Sequence, residues 1–223
     1  MPKAQRIAIV AGGTGLVGSE LLTLLVAAPE YSRVIALARR PLIQCHEKLQ
    51  QREADFEKLD AVLADLVRAG TPIDVFCCLG TTIRVAGSPA QFRRVDHDFV
   101  IALGRWCRDA GARRVLVISA LGADARSRTF YNRVKGEMER DLVAMGLKSL
   151  VILRPSLLEG ERREMRVGER LALLATRPLR RLIPARVRPV SARDVAAAQL
   201  QAARAEKPPS VIESAQLQGV STA

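Results

Sequence analysis

The sequence predicts an α/β fold organised as a doubly wound parallel sheet, on two observations. Short apolar, β-branched runs alternate with segments of helical periodicity at the spacing of βαβ units. The first of these runs is followed at once by a glycine-rich turn that opens the first helix.

Residues 6–11 (RIAIVA) read as a buried strand, because no polar face interrupts the run. A helix follows over 16–28 and stops at Pro29. Residues 34–38 (VIALA) form a second buried strand, and 39–55 is polar with one short strand near 49–53. An amphipathic helix is expected over 58–69, ended by Gly70. Residues 74–79 (DVFCCL) read as another buried strand, with Cys77 and Cys78 in the core. A long helix is expected over 89–110, closed by Gly111, then a strand over 114–119 (RVLVIS). A helix over 130–145 ends at Gly146, and 150–154 (LVILR) is the last clear strand. Beyond Pro155 the stretch to 189 is Arg-rich with leucine patches, which predicts helices and loops and no further sheet. A final helix is expected over 190–205, with Ser191 or Arg193 and Asp194 at its start, and 216–223 is expected to be loose.

At 223 residues, with 48% hydrophobic and 26% charged side chains, the chain suits one well-buried domain over 1–223. Its core is 1–155, and 156–223 adds small helices and a tail on the substrate side. A formal charge of +12 favours anionic partners such as nucleotide phosphates, nucleic acid or an acidic surface. Aromatics are only 4% and none follows Tyr131, which counts against nucleic-acid binding. The cysteines at 45, 77, 78 and 107 form no CxxC, and the only histidines are His46 and His97, so no metal site is expected. Free thiols suggest the cytoplasm. The uncharged run 7–19 mimics a signal peptide, but Gly12, Gly13, Gly15 and Gly18 break it and Glu20 follows. No uncharged apolar run reaches the roughly 18 residues that a membrane span needs.

The spacing Gly12-x-x-Gly15-x-x-Gly18 between a strand and a helix is a phosphate-binding turn of Rossmann type. Gly12 permits the tight turn, Gly15 lets backbone approach a pyrophosphate, and Gly18 lets the helix lie close to the strand. The amides of Thr14, Leu16 and Val17 then join the positive end of the helix dipole toward the phosphates. Where NAD-binding sites place an acid for the ribose 2′-hydroxyl, this chain has Arg39 and Arg40. Two guanidiniums there suit a 2′-phosphate, so the expected cofactor is NADP(H).

Tyr131 and Lys135 lie at i and i+4 of one helix and share a face. An ammonium beside a phenol favours the phenolate, which makes the hydroxyl a usable acid–base group. Ser119, at the carboxyl end of the preceding strand, is placed to orient a substrate carbonyl.

Together the segments AGGTGLVG, ALARR, ADFEKLD, FCCLGTT, RVDHDFV, SALGAD with YNRVKGE, and LRPSLL resemble the atypical and extended short-chain dehydrogenase/reductases. Within them the chain is similar to the family of the mammalian Tat-interacting oxidoreductase-like protein and its small bacterial NAD(P)-binding relatives. The resemblance spans 11–158, and the tail matches only through PVSARDVA at 189–196. It implies that Asp55 and Phe56 flank the adenine, and that Leu79, Gly80 and Thr81 line the ribose and nicotinamide. It also implies that Arg154, Pro155, Ser156 and Leu157 lie beside the nicotinamide amide, and that Asp96 stands where many members carry Asn. Many relatives have two serines where this chain has Ser119-Ala120, and Ser127 or Thr129 are the substitutes if the second is the catalytic one. Only 88 residues follow Lys135, which argues against a nucleotide-sugar substrate. Two functions remain open: an NADPH-dependent reductase of a small carbonyl compound, and a cofactor-sensing scaffold that acts through a protein partner.

Overall fold

The computed structural model describes residues 5–53, 55–67, 70–159 and 184–222. The strands β1 (Arg6–Ala11), β2 (Tyr31–Ala38), β3 (Leu49–Glu53), β4 (Ile73–Cys77), β5 (Arg114–Ile118) and β6 (Leu150–Arg154) lie parallel in the predicted alternation. The pair β7 (Leu158–Glu159) and β8 (Val190–Ser191) stands apart, and β9 (Val211–Glu213) completes a seven-stranded sheet of order β3-β2-β1-β4-β5-β6-β9. All neighbours in that sheet run parallel.

Strand periodicity divides the core into two layers. Ala8 and Val10 of β1 join Leu21, Leu22 and Leu25 of α1 (Leu16–Ala27) on one face of the sheet. Ile7, Ile9 and Ala11 join the other cluster, with Leu59 of α2 (Leu59–Val62). The short helices α3 (Ala64–Val67), α4 (Ile83–Ala86) and α5 (Pro89–Arg93) lead to α6 (Phe99–Asp109). From α6, Leu103 and Trp106 enter that second cluster, as do Met138 and Leu142 of α7 (Phe130–Ala144). The last helix, α8 (Ala192–Arg204), returns to pack on α1, and Val195, Ala196 and Ala203 are fully buried in the first cluster. Ser191 caps it by accepting from the Asp194 amide.

Four expectations are corrected. The helix expected over 58–69 breaks at Leu63, because Arg52 of β3 takes the Val62 carbonyl at 2.6 Å and grips Asp65 with both guanidinium nitrogens. The helix expected over 89–110 is interrupted by a wide π-turn, Arg94–Asp98, which buries Asp96 and His97 side by side. The strand at 150–154 is not the last, since β9 pairs with β6 and buries Ile212, while most of the stretch 156–189 lies outside the described residues. Nor is the end of the described chain loose: Leu217 is fully buried, and Ser221 binds Asp194 through its amide and hydroxyl at 2.9 and 2.6 Å.

At the amino edge of the sheet sits a saturated polar network. Asp74 is fully buried and accepts from Tyr31 Oη at 2.8 Å and from Arg113 Nε and Nη2 at 2.7 and 2.6 Å. Burial, with the Asp74 charge beside it, pushes the Tyr31 hydroxyl above its ordinary range, so it remains the donor. Arg113 and Arg114 also donate to the Ala202, Ala203 and Ala205 carbonyls, ending α8. Removing one side of such a buried pair strands the rest. Asp74→Ala is therefore expected to lower unfolding free energy by about 3–5 kcal/mol in urea titrations at pH 7; a loss below about 1 kcal/mol would mean that the arginines find other acceptors.

Candidate active site

Strand order reverses between β1 and β4, so the segments leaving their carboxyl ends diverge and open a crevice. The glycine turn forms its floor. Gly12 has φ +86, and a Cβ there would stand 2.6 Å from the Cys78 carbonyl oxygen. A Cβ on Gly18 would stand 2.2 Å from the Gly12 carbonyl oxygen. Only glycine fits either place, and the result is a turn pressed between α1 and the chain leaving β4. Gly15 is the N-cap of α1, with no side-chain cap and no acid in the first turn. The first-turn amides, including those of Leu16 and Val17, therefore have no acceptor within the helix. The side chains of Leu16 and Val17 belong to the core, so both serve the turn through backbone, and Thr14 is exposed on it.

Beside the turn, Arg39 and Arg40 follow β2, and both are exposed. Neither forms an ion pair among the described residues. Asp55 accepts from the Glu57 amide at 3.0 Å and lies 3.9 Å from Lys58. The Phe56 ring is buried and stacks on Phe99, with centroids 5.0 Å apart. That ring is therefore engaged in packing.

The other end of the crevice is built from β4, β5, β6 and α7. Ser119 follows β5 and donates its amide to the Leu153 carbonyl at 2.7 Å. Its residue is 4% exposed, and its Oγ has no hydrogen-bond partner among the described residues. A buried hydroxyl left in that state takes its partner from outside the described residues, whether water or ligand. Ser127 and Thr129, the alternative hydroxyls, bind each other at 2.9 Å where α7 begins. Tyr131 stands in the first turn of α7, 37% exposed, its ring 5.5 Å from that of Phe92. Gly136 lets this helix touch the loop after β5, since a Cβ there would lie 2.1 Å from the Ala125 nitrogen.

Lys135 is buried, with Nζ 2.7 Å from Asp96 Oδ1, and Asp96 Oδ2 accepts from the Thr81 amide at 2.9 Å. Burial works against the ammonium, but the Asp96 carboxylate outweighs it and raises the Lys135 pKa. Leu79, Gly80 and Thr81 form the loop that leaves β4 toward this pair. Pro155 is buried and accepts from the Leu121 amide at 2.8 Å, Ser156 binds Ser214 and Arg188, and Leu157 is exposed. Arg154 is not a ligand-facing cation: it is held between Glu139 and Glu213 at 2.5 and 3.0 Å.

The glycine cradle, the uncapped α1 terminus and the Ser119 hydroxyl fit a dinucleotide laid across the crevice. Sequence reasoning noted Asp96 only by resemblance and missed its pairing with Lys135. The available signal was a charge at i+4 from Phe92 and i−4 from Val100, both buried, on the apolar face of a helix.

Comparison with known proteins agrees. A family model described as NAD(P)H-binding matches residues 12–206. Protein FMP52 of Emericella nidulans is 37% identical over 168 residues, covering 72% of this chain and 70% of the relative. Protein HTATIP2 of Rattus norvegicus is 35% identical over 167 residues, covering 73% and 67%. Among solved structures, MoeE5 in complex with UDP-glucose and NAD superposes with a TM-score of 0.68 at 22% identity, over 92% of this chain and 74% of that one. The Helicobacter pylori ADP-L-glycero-D-manno-heptose-6-epimerase gives 0.67 at 18%, over 95% and 77%. These two likenesses concern the fold. The fungal relatives are named mitochondrial, which overturns the cytoplasmic expectation; the free thiols require only a reducing compartment and never distinguished one from another. By sequence, fold and crevice alike, the chain belongs to the NAD(P)H-binding family and is a homologue of the FMP52 and HTATIP2 proteins.

Proposed function

We propose that this chain is an NADP(H)-dependent oxidoreductase that reduces a small carbonyl compound. The observation that supports this most is the buried Ser119 hydroxyl, unpartnered among the described residues, at the same sheet edge as the Tyr131–Lys135 face. The cofactor, when bound, supplies hydride to the carbonyl carbon. Amides at the start of α1 hold its diphosphate, and Arg39 and Arg40 take the 2′-phosphate with charge-assisted bonds. Asp55 and the Phe56 backbone flank the adenine. Leu79, Gly80, Thr81, Pro155, Ser156 and Leu157 line the nicotinamide end, and Lys135 holds the ribose. Ser119 Oγ donates to the substrate oxygen and fixes its place. Tyr131 Oη then gives that oxygen its proton as charge develops there.

Two measurements test the reading. In fluorescence titrations, NADPH is expected to bind more tightly than NADH. Arg39→Ala with Arg40→Ala is expected to weaken NADPH by about 1.5–3 kcal/mol, roughly 10- to 150-fold, with NADH little changed. A wild-type preference for NADH would remove the 2′-phosphate site. In turnover assays over a panel of aldehydes and ketones, Tyr131→Phe is expected to lose about 100-fold or more in kcat while NADPH affinity holds. Turnover unchanged in that variant would take Tyr131 out of the mechanism. Tight NADPH binding with no turnover of any carbonyl would make the chain a cofactor-sensing scaffold.

A further inference from the structure

One carboxylate joins the two sides of the nicotinamide end. Asp96 is 1% exposed and Lys135 3%. One oxygen of Asp96 meets the ammonium of α7, and the other accepts the Thr81 amide of the loop after β4. The π-turn turns this acid inward, and His97 beside it secures the turn independently through Asp98 and Asp141, at 2.8 and 3.0 Å. We propose that Asp96 is a positioning residue that fixes both the charge and the place of Lys135 against the Thr81 loop, so that the ribose end of the cofactor meets a permanent cation. The proposal rests on the cofactor-site reading above.

An amide of the same shape would still satisfy the Thr81 N–H, but it carries no charge. A buried lysine without a counter-ion loses its proton far below the ordinary lysine range. The other titratable groups facing Lys135 are Tyr131 on its own helix and Cys77 on β4. Burial pushes the Cys77 thiol up to about 11, so it stays neutral below that pH and cannot replace the carboxylate.

The test is Asp96→Asn compared with wild type from pH 7.5 to 10, above the ordinary histidine range. The first readout uses no cofactor. In wild type the Lys135 pKa is raised, so its contribution to stability is present throughout this window and is lost only above it. In the variant burial dominates, the folded-state pKa falls below the unfolded one, and the unfolded chain binds the extra proton. The gap in Tm is therefore expected to be widest at pH 7.5 and to close by about 3 °C or more by pH 10. Lys135→Met added to Asp96→Asn must abolish that trend. A constant gap overturns the proposal and leaves Asp96 with a packing role. Should Asp96→Asn not fold, Lys135→Met alone reports the same pair. Its uncompensated buried carboxylate should then make it lose stability relative to wild type as pH rises from 5 to 7.5, and again a constant gap refutes the pairing. The second readout is NADPH titration, expected to be flat with pH in wild type and to be about tenfold weaker at pH 10 in Asp96→Asn; equal affinity of the two at pH 10 counts against it. A wild type that binds no NADPH would sink the cofactor reading, while the melting gap still decides the role of Asp96.

Discussion

Cys78 donates its amide to the Ala11 carbonyl, and its own carbonyl oxygen lies where a side chain on residue 12 would have to be. β1 and β4 therefore leave the sheet in contact and separate only beyond this point. The Gly18 contact with the Gly12 carbonyl then fixes how near α1 can come. With those two approaches set, the amino terminus of α1 is aimed at the crevice, and β2 delivers Arg39 and Arg40 to its rim. The chain beyond Cys78 is carried on toward Gly80 and Thr81, which meet Asp96. A single added methyl at either glycine would move all of these together, because interiors packed at this density shift as blocks.

The two edges of the sheet treat polar groups in opposite ways. At the amino edge every oxygen of Asp74 is engaged, and the last carbonyls of α8 are held by Arg113 and Arg114. Its role is to hold α8 against the sheet. At the carboxyl edge the α1 terminus has no side-chain cap and the Ser119 hydroxyl is buried without a partner among the described residues. Unsatisfied groups of this kind weaken a fold, so those kept at the crevice call for a partner from outside the chain.

Local signals made much of this readable. The runs at β1, β4 and β5 are apolar on both faces, the glycine spacing is tied to a strand–turn–helix context, and Tyr131 and Lys135 are one helical turn apart. What failed had no local signature. β9 is three residues long behind Pro208 and Pro209, too short for any period to register. The break at Leu63 depends on Arg52 reaching over from another strand. The Asp96–Lys135 pair joins two helices across a loop, and only the anomaly of a charge on an apolar face hinted at it. Phe56 was named only through the resemblance, and its ring is engaged with Phe99, which no spacing predicts.

The arginine-rich composition also takes on meaning only in the fold. A charge of +12 reads in sequence as a field for anions. In the structure, Arg6, Arg113, Arg154 and Arg204 are spent on buried or half-buried carboxylates. Arg39 and Arg40, exposed at the crevice rim, are in a different class. A guanidinium keeps its charge in any of these settings, so the arginines need no help to remain cations. An ammonium does need help once buried. Lysine is scarce in this chain, and the one at position 135 lies in the interior with a carboxylate assigned to it. Its compact ammonium gives three donors in a narrow space, where a planar guanidinium would not turn. That choice makes Asp96 necessary, and the π-turn brings Asp96 to it.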